Sequence, residues 1–446
     1  MPTIHVYGAG LAGSEAAWQA AGQNVRVVLH EMKPQKMTPA HHSKNFAELV
    51  CSNSLRSDRL SNAVGLLKEE LTRMGSLIME AAHATQVAAG SALAVDRDRF
   101  SSYITEKIRS NPLITVVEEE VSDIPDGQIT VVATGPLTSD PMAEYIRKNF
   151  AGEGLHFFDA VAPIVDASTI NMDIAFFASR YNKGDADYIN CPMTREQYDV
   201  FYRALIGAEE AALKDFDRSM QKELKVFEGC MPVEVMAKRG YDTLCYGPLK
   251  PVGLTDPRTG ARSFAVVQLR RENQAGTMYN LVGFQTHLTF PEQKRVFRLI
   301  PGLENAEFLR YGVMHRNTYL PSPDMLEPDY SVRTVPTVYF AGQMTGVEGY
   351  IESTGSGYVA GLNAARRARG LDPIIFPPIT MIGAMANYVS RGGIADFVPM
   401  NANFGIVPLP DKKIKGGKLV RNEALAARSL EWIDAYTADA ERADAQ

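Results

Sequence analysis

Two groups of residues in this chain could do chemistry. The first is the run Gly8-Ala9-Gly10-Leu11-Ala12-Gly13, which lies between a short apolar stretch, Ile4 to Tyr7, and an alanine-rich stretch, Ser14 to Ala21, that ends at Gly22. A GxGxxG pattern between a strand and a helix is a dinucleotide-binding signature. Gly8 permits the tight turn, Gly10 lets backbone approach a pyrophosphate, and Gly13 allows helix to pack closely on sheet. The helix N-terminus then offers unpaired N–H groups and a partial positive charge to the phosphates. Gly8, Ala9, Gly10, Ala12 and Gly13 are therefore the expected cofactor contacts. Glu31, just beyond the strand Val25 to Leu29, stands where an acidic residue would bind ribose hydroxyls, although a solvated strand-end carboxylate would look the same in sequence. The second group is the cysteines, Cys51, Cys191, Cys230 and Cys245. They are far apart and form no CxxC, so neither a zinc site nor a disulfide framework is indicated. Residue type alone leaves each of them as a small buried hydrophobe or a reactive thiol.

The elements that must position these groups follow from the apolar pattern. Ile4 to Tyr7, the glycine loop, the alanine-rich helix and Val25 to Leu29 make one βαβ unit. Leu113 to Val117 and Ile129 to Ala133 read as further parallel strands, the latter running into Thr134-Gly135-Pro136, with Gly135 expected at the cofactor. From about Leu155 the pattern changes to short strands, aromatic clusters and a helix near Thr194 to Ile206. Thr337 to Ala341 reads as a strand returning to the first domain, followed by Gly342, Gly346, Gly349, Gly355 and Gly357, then a helix carrying Ala360 to Arg369. A late return that covers a bound flavin is a flavoprotein habit, which favours FAD over NAD by fold-level analogy. Gly342, Gln343 and Gly346 are the expected contacts there. The predicted fold is α/β: a Rossmann-type FAD-binding domain (1–154 and 331–446, with a C-terminal segment) interrupted by a smaller α/β domain (155–330).

Composition limits the function classes. With 446 residues, 45% hydrophobic and 22% charged, the chain can bury two substantial cores. A formal net charge of -6 excludes global steering onto nucleic acid, so any RNA site must be a local patch. Lys412, Lys413, Lys415, Lys418 and Arg421 form one basic stretch, read here as a solvated lysine loop. The absence of a basic leader and of a long apolar run predicts a cytoplasmic protein without a membrane segment.

Four segments are more specific: Cys51-Ser52-Asn53-Ser54-Leu55-Arg56-Ser57, Glu228-Gly229-Cys230-Met231-Pro232-Val233-Glu234, Ala341-Gly342-Gln343-Met344-Thr345-Gly346-Val347-Glu348-Gly349-Tyr350, and Pro399-Met400-Asn401-Ala402-Asn403-Phe404-Gly405. In these the chain closely resembles the folate- and FAD-dependent tRNA (uracil-5-)-methyltransferase family, TrmFO. The resemblance runs from the first strand to the C-terminal segment. It implies methylation of the T-loop uridine of tRNA, with the T-arm as the docking partner and no protein partner. It also implies 5,10-methylenetetrahydrofolate as carbon donor, reduced FAD as hydride donor, and NADH or NADPH to re-reduce the flavin.

The family's chemistry gives the remaining residues expected roles. Uracil C5 is a poor nucleophile, and a thiolate adding at C6 makes it an enolate that can attack the one-carbon unit. By resemblance Cys230 is the nucleophile and Cys51 the general base at C5, or the two exchange roles; a neighbouring cation such as Arg56 would favour thiolate. His287 and Tyr350 are expected to hold the folate pteridine, with Glu348 near its amino-pyrimidine edge. A core histidine, a packing tyrosine and a surface carboxylate are the plainer readings. Cys191 and Cys245 are expected to be structural. The competing functions are the same chemistry on a ribosomal RNA uridine, an NAD(P)H-dependent flavin oxidoreductase of small molecules, and a non-catalytic flavin-binding RNA chaperone.

Overall fold

The computed structural model describes residues 1–38, 40–151, 155–182, 186–211, 231–271, 276–391, 397, 399–410, 414 and 417–444. Strands β1 (Thr3–Tyr7), β2 (Arg26–Glu31), β6 (Ile114–Glu118), β7 (Thr130–Val132), β16 (Ser331–Val332) and β17 (Val335–Phe340) form a sheet in the order β16-β17-β7-β1-β2-β6. All pairings are parallel except β16 with β17. The late strand β17 thus lies beside β7, next to the first strand of the chain, as the sequence pattern predicts. Helix α1 (Leu11–Gly22) connects β1 to β2.

A second sheet, in the order β10-β11-β12-β13-β9-β14, is antiparallel throughout: β9 (Ile164–Asp166), β10 (Phe176–Phe177), β11 (Tyr188–Met193), β12 (Ala265–Arg271), β13 (Met278–Leu281) and β14 (Phe308–Arg310). Period-two alternation gives it one apolar face. Ile189, Cys191, Val267, Leu269, Tyr279 and Val165 enter a core with helix Arg195–Ile206, while Tyr188, Asn190, Gln268, Arg270 and Asn280 point the other way. That helix starts where the sequence places it, because Thr194 and Gln197 form a capping box. Two smaller pieces complete the sheets. Strands β3 (Ser54–Ser57), β4 (Gln86–Val87) and β5 (Ala92–Val95) make a three-stranded sheet, and β8 (Leu155–Val161) pairs with β15 (Val313–Tyr319) as a ribbon whose last residue, Tyr319, joins the larger core. The larger core draws on residues from Ile4 to Ile146 and again from Tyr319 to Ile433.

One element differs from the sequence reading. The helix after the late glycines spans Tyr350–Ala368, so Gly355 and Gly357 lie inside it. The reason is contact. A Cβ at Gly357 or Gly361 would fall on the backbone carbonyl of Ala12 or Ala16, because this helix crosses α1 backbone to backbone. Glycine at those positions is selected by proximity, although it costs helix propensity.

Two buried carboxylates tie helix ends together. Glu70, on helix Ala63–Arg73, accepts the N–H groups of Met381 (2.7 Å) and Ile382 (2.9 Å) and the hydroxyl of Ser429. Glu15, on α1, accepts from Ser76 Oγ (2.8 Å) and Ile78 N–H (3.0 Å). Burial pushes Glu70 up from 4.5 to about 7, against the lowering effect of its donors. A carboxylate whose folded pKa is raised binds its proton more tightly when folded. Its stabilisation is therefore complete below about 4.5 and is lost as pH rises toward 7. Thermal unfolding followed across that window should show the melting temperature falling with pH in the native chain and a flatter profile in Glu70→Gln. Gly361→Val, which drives side-chain atoms into Ala16, should cost roughly 3 kcal/mol or more in urea unfolding.

Candidate functional site

A cleft with about 1120 Å³ of empty space opens along the C-terminal ends of β1, β2 and β7. This is the position at which open α/β sheets bind ligands. Its floor is the glycine loop and the first turn of α1: Gly8, Gly10, Leu11 and Ala12. One end is lined by His30, Glu31, Glu119 and Glu120, the other by Gly135, Gly342, Gln343, Tyr350 and Ser353.

The three loop glycines divide their work as the motif requires. Gly8 has φ +93°, and a Cβ there would meet the carbonyl oxygen of Ala133 at 2.7 Å; a Cβ at Gly13 would fall on the carbonyl of Gly8. Gly10 has nothing within 4 Å of its Cβ position. Gly8 and Gly13 are thus needed by the protein itself, whereas the space at Gly10 is left to a ligand. Glu31 closes the loop: its Oε2 accepts the N–H of Ala9 (2.7 Å) and its Oε1 that of Lys33 (2.9 Å). His30 donates to or accepts from Glu119 Oε1 (2.7 Å) and His5 (3.0 Å), forming a chain of polar groups at that end.

At the opposite end the structure joins residues that the sequence treated separately. Tyr350 Oη accepts the N–H groups of Cys51 (2.8 Å) and Ser52 (3.2 Å), so a residue expected to stack on substrate instead holds the loop of an expected catalytic thiol. Burial, reinforced by the charge of Cys51, raises the Tyr350 phenol well above its ordinary pKa and keeps it protonated. Gln343 Nε2 donates to both oxygens of the buried Glu348 (3.1 and 3.0 Å). Gly346 lies behind this end, against the ring of Phe397, and is not a lining residue. Three of the four family segments interlock here. Arg56 bonds Glu352 and Asn401 Oδ1 (2.7 Å), Ala402 N–H donates to Glu352 (2.8 Å), and Glu348 N–H donates to Met400 O (2.9 Å).

Other expected residues lie elsewhere. His287 is buried beside the second core, its N–H on Glu234 Oε1 (2.7 Å) and its Nδ1 3.3 Å from the same oxygen; it does not line the cleft with Tyr350. Glu228, Gly229 and Cys230 lie outside the described residues; the same segment continues as Met231 and Val233, both buried, and Glu234. Cys191 is fully buried, which pushes its thiol far up, and Cys245 is half-buried and raised for the same reason; both suit structural roles. Lys418 and Arg421 are exposed at the start of the last helix, and Lys412, Lys413 and Lys415 lie outside the described residues. Sequence reasoning missed Arg97, Arg270 and Arg310, which all reach the segment around Cys51. Arg97 Nη1 donates to Leu49 O (2.8 Å), Arg270 to Ser52 Oγ (2.5 Å) and Asn53 Oδ1 (3.0 Å), and Arg310 to Ala40 O (3.0 Å). Only the fold brings them together, and no local spacing signals it.

Comparison with known proteins gives this geometry a family. The family model described as glucose inhibited division protein A, GIDA, matches residues 3–372. The methylenetetrahydrofolate-tRNA-(uracil-5-)-methyltransferase TrmFO of Lacticaseibacillus paracasei is 57% identical over 444 residues, covering 100% of both chains. This chain belongs to the TrmFO family. The TrmFO of Heliobacterium modesticaldum is 58% identical over 437 residues, covering 98% of each chain. The crystal structure of Aquifex aeolicus GidA (form I) superposes with a TM-score of 0.70 at 18% identity, covering 97% of this chain and 76% of that one, a likeness of fold. The Rossmann-type fold read from the TrmFO glycine loop is thus shared with a solved relative.

The loop geometry separates fold from ligand. Gly10→Val should leave the urea midpoint nearly unchanged while lowering flavin occupancy at least tenfold, because its side chain enters empty space. Gly13→Ala should instead destabilise the apoprotein by roughly 2 kcal/mol. Unfolding curves and the flavin absorbance of the purified proteins distinguish the two effects.

Proposed function

We propose that this TrmFO-family protein methylates uracil C5 in the T-arm of tRNA, with FAD as its bound cofactor and 5,10-methylenetetrahydrofolate as carbon donor, in the cytoplasm. The observation that carries the reading is the join at one end of the cleft. Val50 and Tyr350 both line it, and Tyr350 fixes the backbone of Cys51 between them. The backbone that carries the Cys51 thiol is thereby held next to a dinucleotide cleft, one residue from the lining residue Val50.

The residues fit FAD. Gly8, Ala9, Gly10, Ala12 and Gly13 would form the pyrophosphate cradle, Glu31 would bind the ribose, and Gly135, Gly342 and Gln343 would hold the other half, with Gly346 shaping the turn behind them. When bound, reduced FAD supplies hydride, and NADH or NADPH restores it after each turnover. Glu348, oriented by Gln343, and Tyr350 would contact the folate; His287 would act from the inserted domain. The chain we divide as 1–154 and 331–446 for the cofactor domain and 155–330 for the insert.

The protein's own chemistry is carried by thiols. One of Cys51 and Cys230 would add to C6 of the uracil, which places the electron pair on C5 and O4 for attack on the one-carbon unit; the other would take the C5 proton as the nitrogen that carried the unit leaves, and once hydride has reached the resulting exocyclic methylene, the C5 electron pair expels the C6 thiolate and restores the ring double bond. The one-carbon unit arrives at the methylene level, so one hydride completes the methyl group. Tyr350 stays protonated throughout, so it can hold the Cys51 backbone without competing for the proton.

Label from methylenetetrahydrofolate should pass to an unmodified tRNA transcript in the presence of FAD and NAD(P)H and without S-adenosylmethionine, and should be recovered in the T-loop as 5-methyluridine. Recovery only in ribosomal RNA would reassign the acceptor; NAD(P)H oxidation with no transfer to either RNA would reduce the protein to a flavin oxidoreductase. Cys51→Ala and Cys230→Ala should each lower transfer by at least a hundredfold. With 5-fluorouracil-containing RNA, the variant that no longer forms the covalent C6 adduct identifies the nucleophile.

A further inference from the structure

The segment from Ala40 to Asn53 has almost no regular secondary structure, yet it carries Cys51. Its shape is imposed by side chains from elsewhere. Arg97, at the start of helix Arg97–Ser110, holds Leu49 O; Tyr350 holds the N–H groups of Cys51 and Ser52; Arg270 on β12 holds Ser52 and Asn53; and Arg310 on β14 holds Ala40 O.

Two of these arginines share one cross-strand row of the second sheet. Register places Tyr188 beside Arg270, Arg270 beside Asn280, Asn280 beside Ile164, and Ile164 beside Arg310. The last pairing depends on an irregularity. Phe308 pairs with Val165 and Arg310 with Ile164, so Leu309 is an extra residue in β14. In a regular strand Phe308 and Arg310 would share a face. Phe308 packs against the second core; the bulge turns Arg310 to the opposite face, where Arg270 already meets the Cys51 segment. A strand edge has been bent to present one cation.

The charged and titratable groups that act on Arg310, besides Cys51 itself, bring together four elements with Arg310's own strand counted. With Arg310 on β14, they are Arg97 from its helix, Tyr350 from the start of its own helix, and Glu48 within the segment, whose carboxylate accepts the N–H groups of His42 and Ser43 (3.0 Å each). Burial is the first cause lowering Arg310's pKa, and Arg97 adds to it, while Glu48, Cys51 and Tyr350 act in the opposite direction. Tyr350 is held neutral, so the charges of this group are the cations Arg97 and Arg310 and the single carboxylate Glu48, which together leave one net positive charge.

We infer that Arg310, aimed by the β14 bulge, is a positioning residue of the second sheet that keeps Cys51 in its thiolate form, while Arg270 on the same row fixes the loop that carries it. This deepens the reading of Cys51 as a working thiol and rests on it. It also gives the insert a task in the chemistry: the cofactor domain supplies the cysteine and Arg97, and the insert supplies Arg310 and Arg270.

The test uses the FAD-loaded full chain and requires neither folate nor RNA, so its outcome is separate from that of the label-transfer experiment. The rate of iodoacetamide alkylation at Cys51 is followed by peptide mass spectrometry as a function of pH. In the native chain the midpoint should lie below the ordinary thiol value of about 8.5. Arg310→Gln should raise it by about one unit, making alkylation at neutral pH about tenfold slower, and Arg310→Lys, which keeps the charge, should restore the rate to within a few-fold. An unchanged midpoint in Arg310→Gln with FAD still bound would overturn the assignment. If that variant does not fold, the native midpoint decides: a value at or above about 8.5 overturns it as well.

Discussion

The contact on which the site depends is made by backbone. Helix Tyr350–Ala368 lies against α1 so closely that Gly357 and Gly361 admit no side chain over Ala12 and Ala16. Dispersion falls steeply with distance, so a crossing of this kind is dense and tolerates little displacement. Because α1 begins at the pyrophosphate loop, the crossing sets the late helix relative to the cofactor cleft. The N-terminus of that helix is Tyr350, and Tyr350 in turn sets Cys51. A chain of rigid steps thus leads from the glycine loop to the thiol, through residues that are far apart in sequence.

The remaining freedom lies in the segment from Ala40 to Asn53, and the protein removes it with hydrogen bonds to charged groups. Bonds from guanidinium to carbonyl or amide oxygen contribute more than neutral pairs, and most where water is excluded. Arginine is suited to this work because its planar fork holds two acceptors at once, as Arg270 does with Ser52 and Asn53. The same choice weights the charges of the cleft: Glu31, Glu119 and Glu120 line one end with Lys33, while Arg97 and Arg310 act behind the segment whose Glu48 also lines it.

The parts of this arrangement that were legible in the sequence are those encoded locally. The GxGxxG loop, β2 with Glu31, the parallel strands β6 and β7 and the return of β17 each follow from apolar runs and turn residues a few positions apart. The capping box at Thr194 and Gln197 fixes a helix start in the same local way. The late glycines were legible as a feature but not in their function: seen alone, Gly355 and Gly357 read as loop, and only the neighbouring α1 explains why the helix carries a glycine at 357. Arg97, Arg270 and Arg310 were not legible, because each acts on a residue in another element. The bulge at Leu309 that aims Arg310 has no glycine or proline to announce it. His287 could be identified as a candidate by type and family, but its partner Glu234 is set by the tertiary fold.

The buried carboxylates show the same division between local and tertiary coding. A helix leaves its first N–H groups without partners, and they are usually capped by a nearby Ser, Thr, Asp or Asn. Helix Leu77–Ala84 has such a cap in Ser76, and Glu15 reaches it from α1 as well. Helix Met381–Ser390 receives Glu70 from the helix Ala63–Arg73, in addition to its own Thr380. Each carboxylate is desolvated and partly compensated by donors, which makes it costly if a partner is lost and specific in what it joins. Glu70 connects three helices, one of them the terminal helix through Ser429. The C-terminal segment is therefore fastened to the same layer that carries the late helix. Asn401 and Ala402, which complete the network of Arg56 and Glu352 behind the thiol loop, lie in the stretch between those two fastened helices. Position at the site is thus inherited from helix ends that are themselves held by buried carboxyl groups.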